Sequence, residues 1–305
     1  MNKRPSQNFD HDLAGLKSDM PLKGRGLWQD AFERLKANRI SIVSGVVLIV
    51  FSLMCFIGPI FLEWSYDEID WDLLEATPPD IESGHYLGTD TLGRDLLARI
   101  FQGGQVSFQV GILATSVALV IGVSVGSVAG FVGGRVDQVL MRLVDVMYAV
   151  PLMFFIIILM VVFGRNFYLM FFAIGFVEWL TMSRIVRGQT LALKNKGFIE
   201  AARAAGGSTT SIIFEHIIPN VLGIVIVYVT LTIPQVILLE SFLSFLGLGV
   251  QPPMTSWGAL ISEGAQEMES NPRTLILPAL CLSITLFCFN FLGDGLRDAL
   301  DPKDR

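Results

Sequence analysis

Six long apolar runs alternate with polar segments along the chain, at roughly 40–62, 106–132, 144–163, 167–183, 217–246 and 275–293. A helix needs about 20 residues to cross ~30 Å of hydrocarbon, and four of the runs meet that length easily. The run at 217–246 is long enough to tilt or project past the bilayer, and the run at 167–183 is short. The spans must be helical, because a lone strand in lipid leaves its backbone groups unsatisfied. The pattern predicts an all-α polytopic membrane protein with six transmembrane helices. It divides into a polar N-terminal segment 1–39, a first span 40–62, an external loop 63–105, a core of five spans over 106–293 and a polar tail 294–305. Residues 1–39 are too long and too charged for the n-region of a cleaved signal peptide. No internal repeat, low-complexity tract or separate soluble domain interrupts this order.

Charge placement orients the spans. No Lys or Arg falls inside any of the six runs, and 18 of the 22 lie in segments on the N-terminal side of the membrane. The positive-inside rule then places both termini in the cytoplasm. The external loop 63–105 carries ten Asp or Glu against Arg94 and Arg99. With Pro78-Pro79 and a Gly-rich end, it reads as an irregular segment ordered by its partners.

Composition narrows the class further. The chain of 305 residues is 52% apolar and 16% charged, where a soluble domain averages about 25% charged. Disorder has the opposite composition and is excluded. A net charge of −6 leaves no basic footprint for nucleic acid. Cys55, Cys281 and Cys288 all lie within apolar runs and read as small core hydrophobes, with no metal spacing among them.

The chain has no phosphate-cradling G-x-x-x-x-G-K-[ST], no H-E-x-x-H and no G-x-S-x-G. It reads as a non-catalytic subunit with no cofactor of its own. Three carboxylates fall within the runs, where an uncompensated charge is costly. Asp145 follows Arg142 by three residues and reads as half of an interfacial pair. Glu178 lies roughly 16 Å into its span, near the midplane. It either lines a polar cavity or is a structural carboxyl. Glu240 lies ~34 Å beyond Ile217, at the outer face and the mouth of any pathway. Gly122, Gly126 and Gly130 make two overlapping G-x-x-x-G steps, which favour close helix packing. Pro151, Pro234 and Pro278 can each kink a span, as tolerated bends or as hinges.

The most informative segment is Lys194–Asn220, KNKGFIEAARAAGGSTTSIIFEHIIPN. Phe198, Ala202 and Ala205 fall at i, i+4 and i+7, giving a short helix with one apolar stripe. Gly206-Gly207 would end it in left-handed geometry, and Ser208 can cap a second short helix running into the fifth span. A helix–turn–helix outside the membrane cannot bury such a face alone, so it requires a cytoplasmic partner.

Glu200-Ala201-Ala202, Gly206 and Ile218-Pro219 resemble the EAA motif of binding-protein-dependent ABC importer permeases. His216 resembles the peptide-permease branch of that family. The block His85-Tyr86-Leu87-Gly88-Thr89-Asp90 with Gly93-Arg94-Asp95 is similar to an external motif of the branch. Glu240–Gly249, Gln251-Pro252-Pro253 and Ser256-Trp257-Gly258 are similar to its fifth-span exit, and Gly293–Lys303 to its tail. The resemblance implies the type I ABC importer permease fold, with coupling helices at about 197–215. It implies a second homologous permease subunit, two ATPase subunits holding ATP and Mg, a periplasmic or lipid-anchored peptide-binding protein, and a peptide carried across the bacterial inner membrane. Glu200 and Gly206 would fix the coupling helix, with Phe198, Ala201, Ala202 and Arg203 on the ATPase. Glu178 and Glu240 would border the translocation path. Gly88, Thr89, Asp90, Arg94, Asp95 and Trp257 would face the binding protein. The segment Gly26–Arg39 resembles an interfacial elbow helix, with Leu27, Ala31 and Leu35 as its stripe and Trp28 suited to the lipid interface. Dipeptides, nickel, glutathione and peptide antibiotics stand as alternative cargoes, and an ATP-independent secondary transporter as an alternative class.

Overall fold

The computed structural model describes residues 27–73 and 76–300. The side chains of Leu27 and Trp28, residues 1–26 and the tail from Asp301 lie outside the described part. The helices are α1 (Leu27–Ala37), α2 (Arg39–Ile57, with a 3₁₀ turn Gly58–Phe61), α3 (Leu96–Val132), α4 (Gly134–Ala149), α5 (Leu152–Phe163) and α6 (Phe167–Leu193). They continue with α7 (Gly197–Ala204), α8 (Thr209–Ile212), α9 (Ile218–Phe245), α10 (Trp257–Gln266) and α11 (Arg273–Leu300). Isolated bridges such as Ile69 with Arg94 are the only extended pairing among the described residues.

Polar residues just ahead of the apolar runs set where the helices start. Each offers a side-chain oxygen to an orphan amide of the first turn. Asn38 accepts from Ser41 N at 3.3 Å, Asp95 from Ala98 N at 2.7 Å, Asn166 from Tyr168 N at 2.7 Å and Ser256 from Ala259 N at 3.1 Å.

Five helices are long and apolar enough to span a membrane: Arg39–Phe61, Leu96–Val132, Phe167–Leu193, Thr209–Phe245 and Arg273–Leu300. The predicted span at 144–163 is instead a pair, α4 and α5, bent by 81°. The break falls at Pro151, which lacks an amide proton and forces Val150 into extended geometry (ψ 131°). The pair nevertheless returns the chain along α6. Asp137 meets Arg187, Asp145 meets Arg184, Tyr148 meets Thr181 and Phe155 meets Phe176, while Met160 shares a core cluster with Met170. From Arg187 to Met170 is about 26 Å along the helix.

Parallel packing of α3 on α6 requires that return. A Cβ at Gly126 would come within 2.5 Å of Ser183 O, and one at Gly130 within 2.7 Å of Thr190 Cβ. Only glycine permits this approach, so the expected G-x-x-x-G packing has a definite partner. Helix α6 is the centre of the molecule, with 61% of its most apolar window buried, against 22% for α2 and 17% for α11. The exposed Ile40, Val43, Ile49, Phe287 and Phe291 of those outer helices suit lipid.

Several boundaries differ from the sequence expectation. Helix α3 begins at Leu96, so residues 96–105 of the predicted loop are helical. Helix α6 runs on to Leu193 and carries Arg184 and Arg187, and α11 continues through Leu300 in place of a tail beginning at 294. Helices overrun the hydrocarbon because hydrogen bonding continues where hydropathy stops. Below, the end of the molecule carrying α1 and α7 is called inner and the opposite end outer, after the predicted orientation.

Candidate functional site

At the inner end, α7 lies beside the ends of α3 and α6. Ile199 anchors it, fully buried in a cluster with Phe131, Val186, Ile212 and Ile217. Ala202, one turn on, packs partly against the same cluster. The expected stripe therefore divides. Phe198 and Ala205 are exposed, with Glu200, Ala201, Arg203 and Gly206, while Ala202 belongs to the anchoring side. Arg203 is steadied by its guanidinium, 4.9 Å above the Phe131 ring. Gly206 takes a φ of +85° and ends the helix as expected. Ser208 accepts from Ser211 N at 3.1 Å to start α8. The result is a short helix fixed from behind, showing an aromatic ring, small residues, an acid and a base.

The next helix turns into α9 without interruption. Over Ile213–Ile217 the backbone widens to a π-turn, with Ile218 N bonded to Ile213 O. Pro219 follows at once. It has no N–H for the carbonyl of Glu215 and its ring would crowd that oxygen, so the wider turn absorbs the mismatch.

The outer loop is ordered by contacts within this chain, in contrast to the expected ordering by partners. His85 is fully buried. Its Nδ1 lies 3.0 Å from Asp95 Oδ2 and its Nε2 3.4 Å from Asp70 Oδ2, and its ring stacks on Trp64. Asp90 pairs with Arg94 at 2.8 Å and with Arg99. Arg99 also reaches Glu263 of α10 at 2.8 Å. On the loop's rim, hydrogen bonding from Ser83, then from the Glu82 amide, holds the exposed Asp80 carboxyl below its ordinary value. Gly88 sits at φ +82° with its α-carbon against the Thr77 carbonyl, where no side chain fits. Trp257 is buried, donating from Nε1 to Ile100 O at 3.0 Å and meeting Phe108 edge-on.

These positions correct the expected outward-facing set. Gly88, Thr89, Asp90, Asp95 and Trp257 are all buried, and Arg94 is turned inward onto Asp90. They form the inside of the loop, while Tyr86, Thr91, Leu92 and Gln251–Pro253 are on its surface.

The three carboxylates also find definite places. Asp145 pairs with Arg184 at 2.7 Å, across helices, and not with Arg142. Glu178 is half-buried on α6, with no hydrogen bond or ion pair among the described residues. Glu240 is fully enclosed among serines, so it is not at an open mouth. Sequence reasoning missed Ile199, Arg99 and Glu263, and gave His85 no role beyond its place in the external motif. Ile199 alone had a local signal, as the one β-branched residue of α7. The others depend on pairings across the fold.

Residues 122–305 match the family described as binding-protein-dependent transport system inner membrane component. Residues 26–79 match the N-terminal TM domain of oligopeptide transport permease C. The chain is 52% identical over 300 residues to the oligopeptide transport system permease protein OppC of Escherichia coli (strain K12), covering 98% of this chain and 99% of that protein. It is 41% identical over 292 residues to OppC of Bacillus subtilis (strain 168), covering 96% and 95%. It is also 41% identical over 278 residues to the dipeptide transport system permease protein DppC of that organism, covering 91% and 86%.

Proposed function

The chain belongs to the binding-protein-dependent transport system inner membrane components, and from that premise we propose that it forms, with a second homologous permease subunit, the pathway for oligopeptide uptake. Two ATPase subunits holding ATP and Mg bind beneath α7, and a peptide-binding protein docks on the outer loop. Both termini are cytoplasmic. The observation that carries this reading is α7 itself. Its inner side is buried through Ile199, and its other side leaves Phe198, Ala201 and Arg203 exposed, with the Arg203 guanidinium held over the Phe131 ring. A helix held so firmly, with an apolar ring left in water, fits a groove on another subunit.

Glu178 supports a place for this chain along the pathway. A half-buried carboxyl without a partner near the midplane needs a water-filled or protein surface beside it. Glu178→Gln is expected to change uptake rate or preference among peptides of different charge. Oligopeptides are favoured over dipeptides by the match of residues 26–79 to the N-terminal TM domain of oligopeptide transport permease C and by the 52% identity to OppC of Escherichia coli.

Purification of the chain from its own membrane tests the assembly. The importer reading expects an ATP-hydrolysing subunit in stoichiometric amount, and uptake of peptides longer than two residues that stops when ATP is withheld. Uptake that persists without ATP would establish the secondary-transporter class. Transport restricted to dipeptides would revise the cargo and leave the architecture intact.

A further inference from the structure

The helix that leaves the coupling segment reaches the other end of the molecule in one piece. Thr209–Phe245 forms a single span, about 55 Å long at 1.5 Å per residue. Its inner end is keyed beside α7 through Ile212, Ile213 and Ile217. Its outer end is keyed by a carboxyl. Glu240 Oε1 accepts from Ser244 Oγ at 2.6 Å, and Oε2 from Ser107 Oγ at 3.4 Å and Ser241 Oγ at 3.5 Å.

Two of these hydroxyls carry the network onward. Ser107 belongs to α3, and its Oγ accepts from the Trp257 amide at 3.4 Å. Ser244 Oγ accepts from Ser256 Oγ at 3.2 Å. Both residues that start α10 therefore hang on the carboxyl through one intermediate oxygen. The packing is equally tight, since a Cβ at Gly258 would collide with the Ser241 backbone and one at Gly249 with Ser244. The loop so held, residues 246–256, exposes only Leu246, Gly247 and its tip Gln251–Pro253.

Glu240 makes no ion pair among the described residues. A buried carboxyl served only by neutral donors is costly unless all its bonds are made, so the network holds as a unit or not at all. Such a group adds little net stability and much definition of register.

We propose that Glu240 is the positioning residue that fixes the second outer loop, 246–256, to the coupled helix. Docking at the Gln251–Pro253 tip and ATPase engagement at α7 then act on the two ends of one continuous helix. This rests on the importer reading.

The test uses the complete complex with its binding protein in lipid nanodiscs. ATP hydrolysis is measured with and without peptide-loaded binding protein. Glu240→Leu should leave unstimulated hydrolysis near the wild-type rate and reduce the stimulation roughly fivefold or more, within the usual range of coupling between sites. Glu240→Gln, which keeps the shape and an acceptor while the serine hydroxyls reorient, should retain most of the stimulation. A merely structural role would lower both rates together. Stimulation of the Glu240→Leu complex equal to wild type overturns the proposal. If that variant does not assemble, Ser107→Ala and Ser256→Ala decide, and unchanged stimulation in both overturns it. A wild-type complex that hydrolyses no ATP overturns the importer reading, which is a separate result from failed stimulation in the variants alone.

Discussion

Adjacent residues of α7 have opposite duties. Ile199 is fully buried and Phe198 exposed, although both are large and apolar. Ile199→Asp would put a carboxylate among Phe131, Val186 and Ile217, at a cost of several kcal/mol. It should lower the amount of folded protein recovered in detergent. Phe198→Asp should leave that amount unchanged and reduce uptake tenfold or more, as read by labelled-peptide accumulation. Equal recovery of the two variants would remove the distinction. The sequence pattern marked the segment but not this division, because an eight-residue helix offers two plausible apolar stripes. The same limit applies to Asp145. The local spacing pointed to Arg142, and the fold supplied Arg184 from another helix. His85 is only the first residue of the external block until the loop brings Asp70, Asp95 and Trp64 around it.

Among the elements, the interface of α3 with α6 is the most sharply specified. At Gly126 an added Cβ would press on Ser183 O and Val186. Gly126→Leu should cost about 1–3 kcal/mol or more through overpacking, seen as a lower melting temperature of the purified protein. The same change at exposed Gly188, with nothing within 4 Å of its Cβ position, should have little effect. The glycine steps were legible because their four-residue spacing is a helical repeat. The break between α4 and α5 was not, because Pro151 is compatible with a kinked span or a broken one. Its direction became clear only from the ordered contacts with α6. The start of α3 at Leu96 was legible in principle through Asp95, an N-cap followed by Leu-Leu, but the polar residues of 99–105 masked it.

At the scale of the whole molecule, the described residues form an inner end carrying α7 and a self-ordered outer loop joined by long helices, with an apolar outer surface between them. Hydropathy was sufficient to read most of this architecture, with the broken pair α4 and α5 as the exception. The motif residues did not reveal that most of the outer motif is internal, since a buried ionic lock and an exposed docking motif draw on the same residue types. Orientation is testable directly. Ser65→Cys and Thr210→Cys both place a thiol on an exposed residue. A membrane-impermeant maleimide should label the first in intact spheroplasts and the second only after permeabilisation.

The claim that this chain is driven from outside itself through α7 is tested most directly by ATP-dependent uptake of a labelled oligopeptide. The measurement uses proteoliposomes that contain the complete complex, carrying either wild-type chain or Gly206→Asp. Gly206 has a φ of +85° and open space around it, so the substitution strains the turn after α7 without filling the core. The predicted result is uptake by the wild type that requires ATP, and none above background by Gly206→Asp present in the vesicles at the same level. Uptake by Gly206→Asp at the wild-type rate, or wild-type uptake that continues without ATP, would contradict the account.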